Sequence, residues 1–250
     1  MIKNYYRPSN MDEALDLLSR SDVDIYPMGG GTRLSQPSAS PITVVDLQDL
    51  GLSEIHRKGN WLEIGATTTL QALYDYDQTP DSLRQAIMLE TNYNIRQAGT
   101  IAGTIVSADG RSTMVTALLA TDSVIETMPN EVEVALGDLL ATRTVQLKKR
   151  LITKITIPVN VQLAFNNVSR SPADLPQVCV AAAKWPSGRT RVALGGYGEA
   201  PRLVLDGPNS DGAVEAARSA FSTASDEWAG ADFRQDVAAT LTRRCIADLG

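Results

Sequence analysis

The stretch DVDIYPMGGGTRL spans residues 22–34. Its first part, DVDIYPM, reads as a short strand and runs straight into Gly29, Gly30 and Gly31. A strand ending in consecutive glycines can turn sharply, expose successive backbone N–H groups and let a bulky ligand approach the backbone. A second segment, AGTIAGT (98–104), has the same character. Both follow or interrupt strand-like sequence. Two such nests on adjacent elements suit a diphosphate and the polar ribityl chain of a flavin. Neither segment fits G-x-x-x-x-G-K-[ST], and neither fits G-x-G-x-x-G between a strand and a long helix. A P-loop nucleotidase and a Rossmann site are therefore disfavoured. Taken without further context, tight turns and a ligand cradle stay equally open.

Working outward, Ser9 or Asn10 is placed to cap a helix, with Asp12 or Glu13 closing a capping box. Met11, Ala14, Leu15 and Leu18 form its apolar face. ITVVDL (42–47) and WLEIGAT (61–67) read as strands, and Thr68 or Thr69 opens a helix through Leu73. Another helix is expected over about residues 81–93. NIRQAGTIAGTIVSADGRS follows, then the apolar stretch MVTALLATDSVIE. Ile152–Ile157 is a strand stopped by Pro158. VCVAAAKW (178–185) and TRVALGGYG (190–198), separated by Pro-Ser-Gly, read as an antiparallel hairpin. The last two segments, DGAVEAARSAFST and DFRQDVAATLTRRCIADL, are helical. The boundary falls near 160, between a mixed α/β cofactor module and a small sheet with helices.

Scarce residues exclude whole classes of chemistry. The 250 residues carry a net charge of −6 without a basic run, which argues against nucleic acid. No stretch of about 18 apolar residues exists to span a membrane. MIKNYYRPSN has no apolar signal core, so a cytoplasmic protein is expected. Cys179 and Cys245 lack paired spacing and read as buried thiols, so the chain cannot hold an iron–sulfur cluster alone. The single histidine, His56, lies in SEIHRKGN and reads as a surface loop residue. No metal site and no catalytic residue is expected, and a bound cofactor would carry any chemistry.

The order of segments resembles the FAD-binding subunit of molybdenum hydroxylases, the medium subunit of the carbon monoxide dehydrogenase type, also fused into xanthine dehydrogenase. The residues that carry the likeness are YYRPSNMDEALDLL, GGGTRL, PITVVDLQDLGLSEI, LEIGATTTLQAL, NIRQAGTIAGTI, ITKITIP, SRSPADLPQVCVAAA, VALGGYGEAPRL and DFRQDVAATLTRR, nearly the whole chain. The resemblance implies an α+β fold. It comprises a two-lobed FAD-binding domain of the para-cresol methylhydroxylase type over residues 1–160, with lobes of about 1–52 and 53–160. A small α/β C-terminal domain of the carbon monoxide dehydrogenase flavoprotein type follows over 161–250. It also implies an electron-relay role. A large molybdenum–pterin subunit oxidises the substrate, a small [2Fe–2S] subunit passes electrons on, and FAD in this chain delivers them to an external acceptor. The implied assembly is a heterotrimer or its dimer.

Carried over residue by residue, Met28, Gly29, Gly30, Gly31, Thr32 and Arg33 fall on the first flavin loop. Gly99, Thr100, Ile101, Ala102, Gly103 and Thr104 fall on the second. Ile152 lies where the family packs an aliphatic side chain near the flavin ring, and a core role suits it equally. The sequence departs from the family at Arg33, where an acid is usual, and at Ala102 and Thr104, which replace Gly and Asn. It also departs at Thr113, which replaces an acid able to bind nucleotide hydroxyls, and at Asn166, which replaces a Lys. Two alternatives follow: a flavin-free scaffold or assembly subunit with the same fold, and a self-contained flavin oxidase. The latter lacks a catalytic base near either loop.

Overall fold

The computed structural model describes residues 2–20, 24–37 and 40–250, so Asp22 and Val23 of the expected first-loop strand lie outside the described residues. In chain order the elements are β1 (Ile2–Tyr6), α1 (Met11–Ser19), β2 (Ile25–Met28), β3 (Ile42–Asp46), β4 (Ile55–Lys58), β5 (Trp61–Gly65), α2 (Leu70–Asp75) and α3 (Asp81–Glu90). Next come α4 (Tyr93–Ala98), α5 (Ile101–Ser107), α6 (Thr113–Ala120), β6 (Val124–Met128), β7 (Val132–Ala135), α7 (Leu136–Gln146) and β8 (Leu151–Pro158). The chain finishes with β9 (Gln162–Val168), β10 (Val178–Lys184), β11 (Thr190–Gly195), β12 (Arg202–Gly207), α8 (Ala213–Ala220) and α9 (Ala231–Asp248). This is the expected α+β class. The elements form two compact units: Met1–Asp75, Tyr93–Ser107 and Val124–Thr156 in the first, and Tyr76–Asn92, Ala108–Ser123 and Ile157–Gly250 in the second.

The first unit contains two sheets. In the smaller, β1 and β2 flank β3 and run parallel to it. Helix α1 starts at Asn10, whose side chain accepts from the Glu13 amide at 3.0 Å. The Glu13 carboxylate accepts from the Ser9 amide at 3.1 Å, so the expected box closes one residue early. Ala14, Leu17 and Leu18 pack with Val45, Leu47 and Leu151, while Leu15 joins from the rim. The larger sheet has the order β4-β5-β8-β6-β7. Strand β5 shows why a period of two makes a strand: Leu62 and Ile64 are buried and Trp61 is exposed. His56 sits on β4 opposite Glu63, exposed as expected, though in a strand rather than a loop.

The second unit is built on an antiparallel sheet of order β12-β11-β10-β9. The expected hairpin is its centre, with Val180 opposite Leu194 and Ala181 opposite Ala193. Strand β10 is covered on both faces. Val178, Val180 and Ala182 pack with Phe221, Leu241 and Cys245. Cys179 points the other way, with its Sγ 3.5 Å from Thr116 Oγ1 on α6. Every residue of α6 is buried, as a helix apolar on all sides must be. The sequence reading put residues 76–92 and 108–123 in the N-terminal module, but they pack in the second unit. There Leu83, Ala86 and Ile87 of α3 are buried. The helix expected over 81–93 ends at Glu90, because Thr91 is extended.

Arg234 on α9 is fully buried. Its guanidinium donates to both Asp226 oxygens at 2.8 and 2.9 Å and to the carbonyls of Ala224, Ala229 and Gln177 at 2.8, 2.7 and 3.2 Å. Burial pushes the Asp226 carboxyl upward, but Arg234 and the amides of Trp228 and Ala229 outweigh it and hold the group below its ordinary value. Removing the acid leaves an uncompensated buried cation. Asp226→Ala is therefore expected to lower stability by about 3 kcal/mol, measured by urea unfolding of the full chain. A loss below about 1 kcal/mol, the level of a surface pair, would contradict this reading of the buried pair.

Candidate functional site

Strand β2 delivers the chain into residues 29–33, and the loop between α4 and α5 supplies residues 99 and 100. The two segments touch. A Cβ built on Gly30 would lie 1.5 Å from the Ala98 carbonyl oxygen, and one on Gly29 would lie 2.7 Å from Thr100 Oγ1. The position for a Cβ on Gly99 is 3.9 Å from Thr32 Oγ1. The first loop therefore rests backbone-on-backbone against the second. Gly31 has φ +68°, the left-handed region that favours glycine. The turn beyond it closes through Ser35 N to Gly31 O at 2.9 Å. Met28 pairs with Asp46 on β3.

The loops differ in what their amides do. Among the described residues, the amides of Gly29, Gly30, Gly31 and Thr32 have no acceptor. Those of the second segment are engaged. Gly99 N donates to Ile95 O at 2.7 Å, Ile101 N to Thr68 O at 3.0 Å and Ala102 N to Ala66 O at 3.2 Å. Gly103 N reaches Thr100 Oγ1 at 3.1 Å, and Thr104 N reaches Thr100 O at 2.9 Å. Thr104 Oγ1 also donates to Thr100 O at 2.9 Å. Expecting two exposed nests thus needs correction. Residues 101–104 are the first turn of a helix, and Thr100 caps it. Gly103 has no left-handed φ, and a Cβ there would meet only the Thr100 hydroxyl at 2.9 Å.

One polar group near these loops was not singled out from the sequence. Thr68 is buried, and its hydroxyl has no partner among the described residues, while its carbonyl holds Ile101 N. The run Thr67-Thr68-Thr69 was the available signal, read there only as a helix start. Thr69 Oγ1 does accept from the Ala72 amide at 3.1 Å.

Three candidates have other surroundings. Ile152 is 4% exposed on β8, opposite Thr127, in the core of the first unit. Asn166 belongs to the second unit, where its side chain donates to Asp248 at 3.2 Å and to Cys245 Sγ at 3.4 Å. Thr113 also belongs to the second unit and is fully buried. Its hydroxyl donates to Ala86 O at 2.7 Å and lies 3.1 Å from Glu90 Oε2. The same oxygen accepts from Ser112 Oγ and Met114 N, both at 2.9 Å. This corrects the expectation for position 113: the side chain joins α3 to the start of α6 and has no free lone pair facing solvent. The thiols of Cys179 and Cys245 are buried and pushed up to about 12 and about 11 by that burial, so neither is a nucleophile. No metal-holding group of His, Cys, Asp or Glu occurs among the described residues.

Residues 1–160 match the family described as the FAD binding domain in molybdopterin dehydrogenase. The chain belongs to this family. It is therefore an FAD-binding component of an oxidoreductase. It is 31% identical over 199 residues to the Escherichia coli K12 protein named "Uncharacterized protein YgfM", covering 78% of this chain and 75% of that one. It is 28% identical over 273 residues to the carbon monoxide dehydrogenase medium chain of Afipia carboxidovorans, covering 97% and 95% of the two chains. The solved structure of CO dehydrogenase from Oligotropha carboxidovorans superposes with a TM-score of 0.83 at 27% identity, covering 100% of this chain and 98% of that one.

Two outcomes follow for this family member. Gly30→Ala cannot keep the two loops at their present spacing, so it is expected to cut flavin content by more than half and destabilise the chain by about 2 kcal/mol. Flavin released per purified chain measures the first effect and thermal unfolding the second; full flavin content would refute the contact. Burial raises the Glu90 carboxyl above its ordinary 4.5, although Met114 N, Ser112 and Thr113 pull it back. The folded state then holds the proton more tightly than the unfolded state does. Stability should fall as pH rises from about 4.5 through the folded value. Glu90→Gln should flatten that slope and Thr113→Asp, which adds a second carboxylate, should steepen it, both followed by urea midpoints across pH.

Proposed function

We propose that this chain is the FAD-binding electron-transfer subunit of a molybdenum hydroxylase complex. It takes electrons from the [2Fe–2S] clusters of a small partner subunit and passes them to an external acceptor. A large molybdenum–pterin subunit oxidises the organic substrate, and the assembly is a heterotrimer or its dimer in the cytoplasm. No helix among the described residues is long and apolar enough to cross a membrane, which is compatible with that setting.

The observation that carries the reading is the first glycine loop. Four consecutive amides without an acceptor among the described residues, Gly29 to Thr32, include a left-handed glycine and suit anionic oxygens. These residues fit the diphosphate of FAD. In this reading the second segment, Gly99 to Thr104, holds the first loop in place, and Thr32 Oγ1 adds a hydroxyl for a phosphate or ribityl oxygen. Bound FAD supplies the capacity to accept and release electrons, and the protein supplies binding and orientation. Burial raises both thiols, Cys179 and Cys245, well above the range in which a thiolate forms.

The native complex should release about one FAD per copy of this chain on denaturation. The chain should co-purify with a large and a small subunit, and alone it should hydroxylate nothing. Finding FMN or no flavin, or substrate turnover by the isolated chain, would overturn the proposal.

A further inference from the structure

Among the described residues of the first unit, the arginines other than Arg33 have internal partners. Arg7 pairs with Asp49 at 2.6 Å, and Arg20 lies 5.6 Å over the Tyr6 ring. Arg57 donates to Gly59 O, Arg96 to Gln71, Arg143 to Ile105 O and Arg150 to Thr127. Arg33 is exposed and has no such partner among the described residues. It follows directly on the four unengaged amides, and its backbone is held there. Its carbonyl accepts from Gln36 N at 3.2 Å, and the preceding Thr32 carbonyl accepts from Gln36 Nε2 at 3.4 Å. An exposed guanidinium on the residue that follows these amides is chemistry suited to the two negative charges of a diphosphate.

We infer that Arg33 is the cationic arm of the first loop. The amides of residues 29–32 hold the oxygens of the flavin dinucleotide's diphosphate, and the guanidinium neutralises its charge. The inference rests on the FAD reading above and assigns the side chain that gives it charge selectivity. On this view the change from the family's usual acid to Arg33 strengthens phosphate binding, while the neutral hydroxyl of Thr113 has a structural task.

The test titrates the full chain, stripped of flavin, with FAD and with riboflavin at low and high salt, following flavin fluorescence. Arg33→Gln should raise the Kd for FAD about tenfold at low salt, the loss of one charge-assisted contact. It should also flatten the salt dependence of FAD binding, because the screened charge is gone. Riboflavin affinity and the thermal midpoint should not change, and Arg33→Lys should recover part of the FAD affinity. An Arg33→Gln protein that binds FAD with wild-type Kd and salt dependence overturns the inference and leaves the FAD reading standing. An equal loss of riboflavin binding also overturns it, since the effect would not come through the diphosphate. If the wild-type chain binds no FAD, the functional reading itself fails and the inference with it.

Discussion

The approach of Gly30 to the Ala98 carbonyl is the constraint on which the site in the first unit depends. A Cβ at 1.5 Å from an oxygen has no rotamer that could relieve it, so only glycine lets the two backbones meet. Once they meet, the first loop is held against the second segment, and the amides of residues 29–32 have no acceptor among the described residues. The supporting segment must be rigid for this to work. Its amides are tied to Ile95, Thr68 and Ala66, and the Gly99 carbonyl accepts from Leu70 N at 2.8 Å. One loop gives up its hydrogen-bonding capacity to structure so that the other keeps its own.

The second unit handles polar groups in the opposite way. Arg234 satisfies its donors on Asp226 and three carbonyls. Arg191, 5% exposed, shares Asp122 and Asp206 with Arg189. Glu90 collects Ser112, Thr113 and the Met114 amide. Arg191 Nε and Thr242 Oγ1 are buried there without a hydrogen-bond partner among the described residues. A buried charge paired like Arg234 with Asp226 contributes little net stability, but removing one partner is costly. The two cysteines, held as thiols by burial, add no reactivity.

Much of the fold was legible because its signals are local. The Asn10 cap, the alternation in WLEIG, the Pro-Ser-Gly turn and the glycine run each involve residues within a few positions of one another. Other features depend on distant partners. MVTALLA reads as an apolar stretch, but which sheet it covers depends on the small residues of β10, some sixty positions on, as Thr116 and Cys179 show. Thr113 looks like a weakened ligand in sequence because its partners, Ala86 and Glu90, sit on another helix.

The sequence by itself determined the α+β class and the paired glycine segments. Only the tertiary structure decided which of those glycine segments has amides to offer. GGGT and GTIAGT carry the same backbone potential, since every non-proline residue has one N–H donor. The difference lies in acceptors brought from elsewhere, the carbonyls of Ala66 and Thr68 for the second segment and none among the described residues for the first. Whether a donor is engaged depends on distance in space, and a sequence pattern measures only distance along the chain.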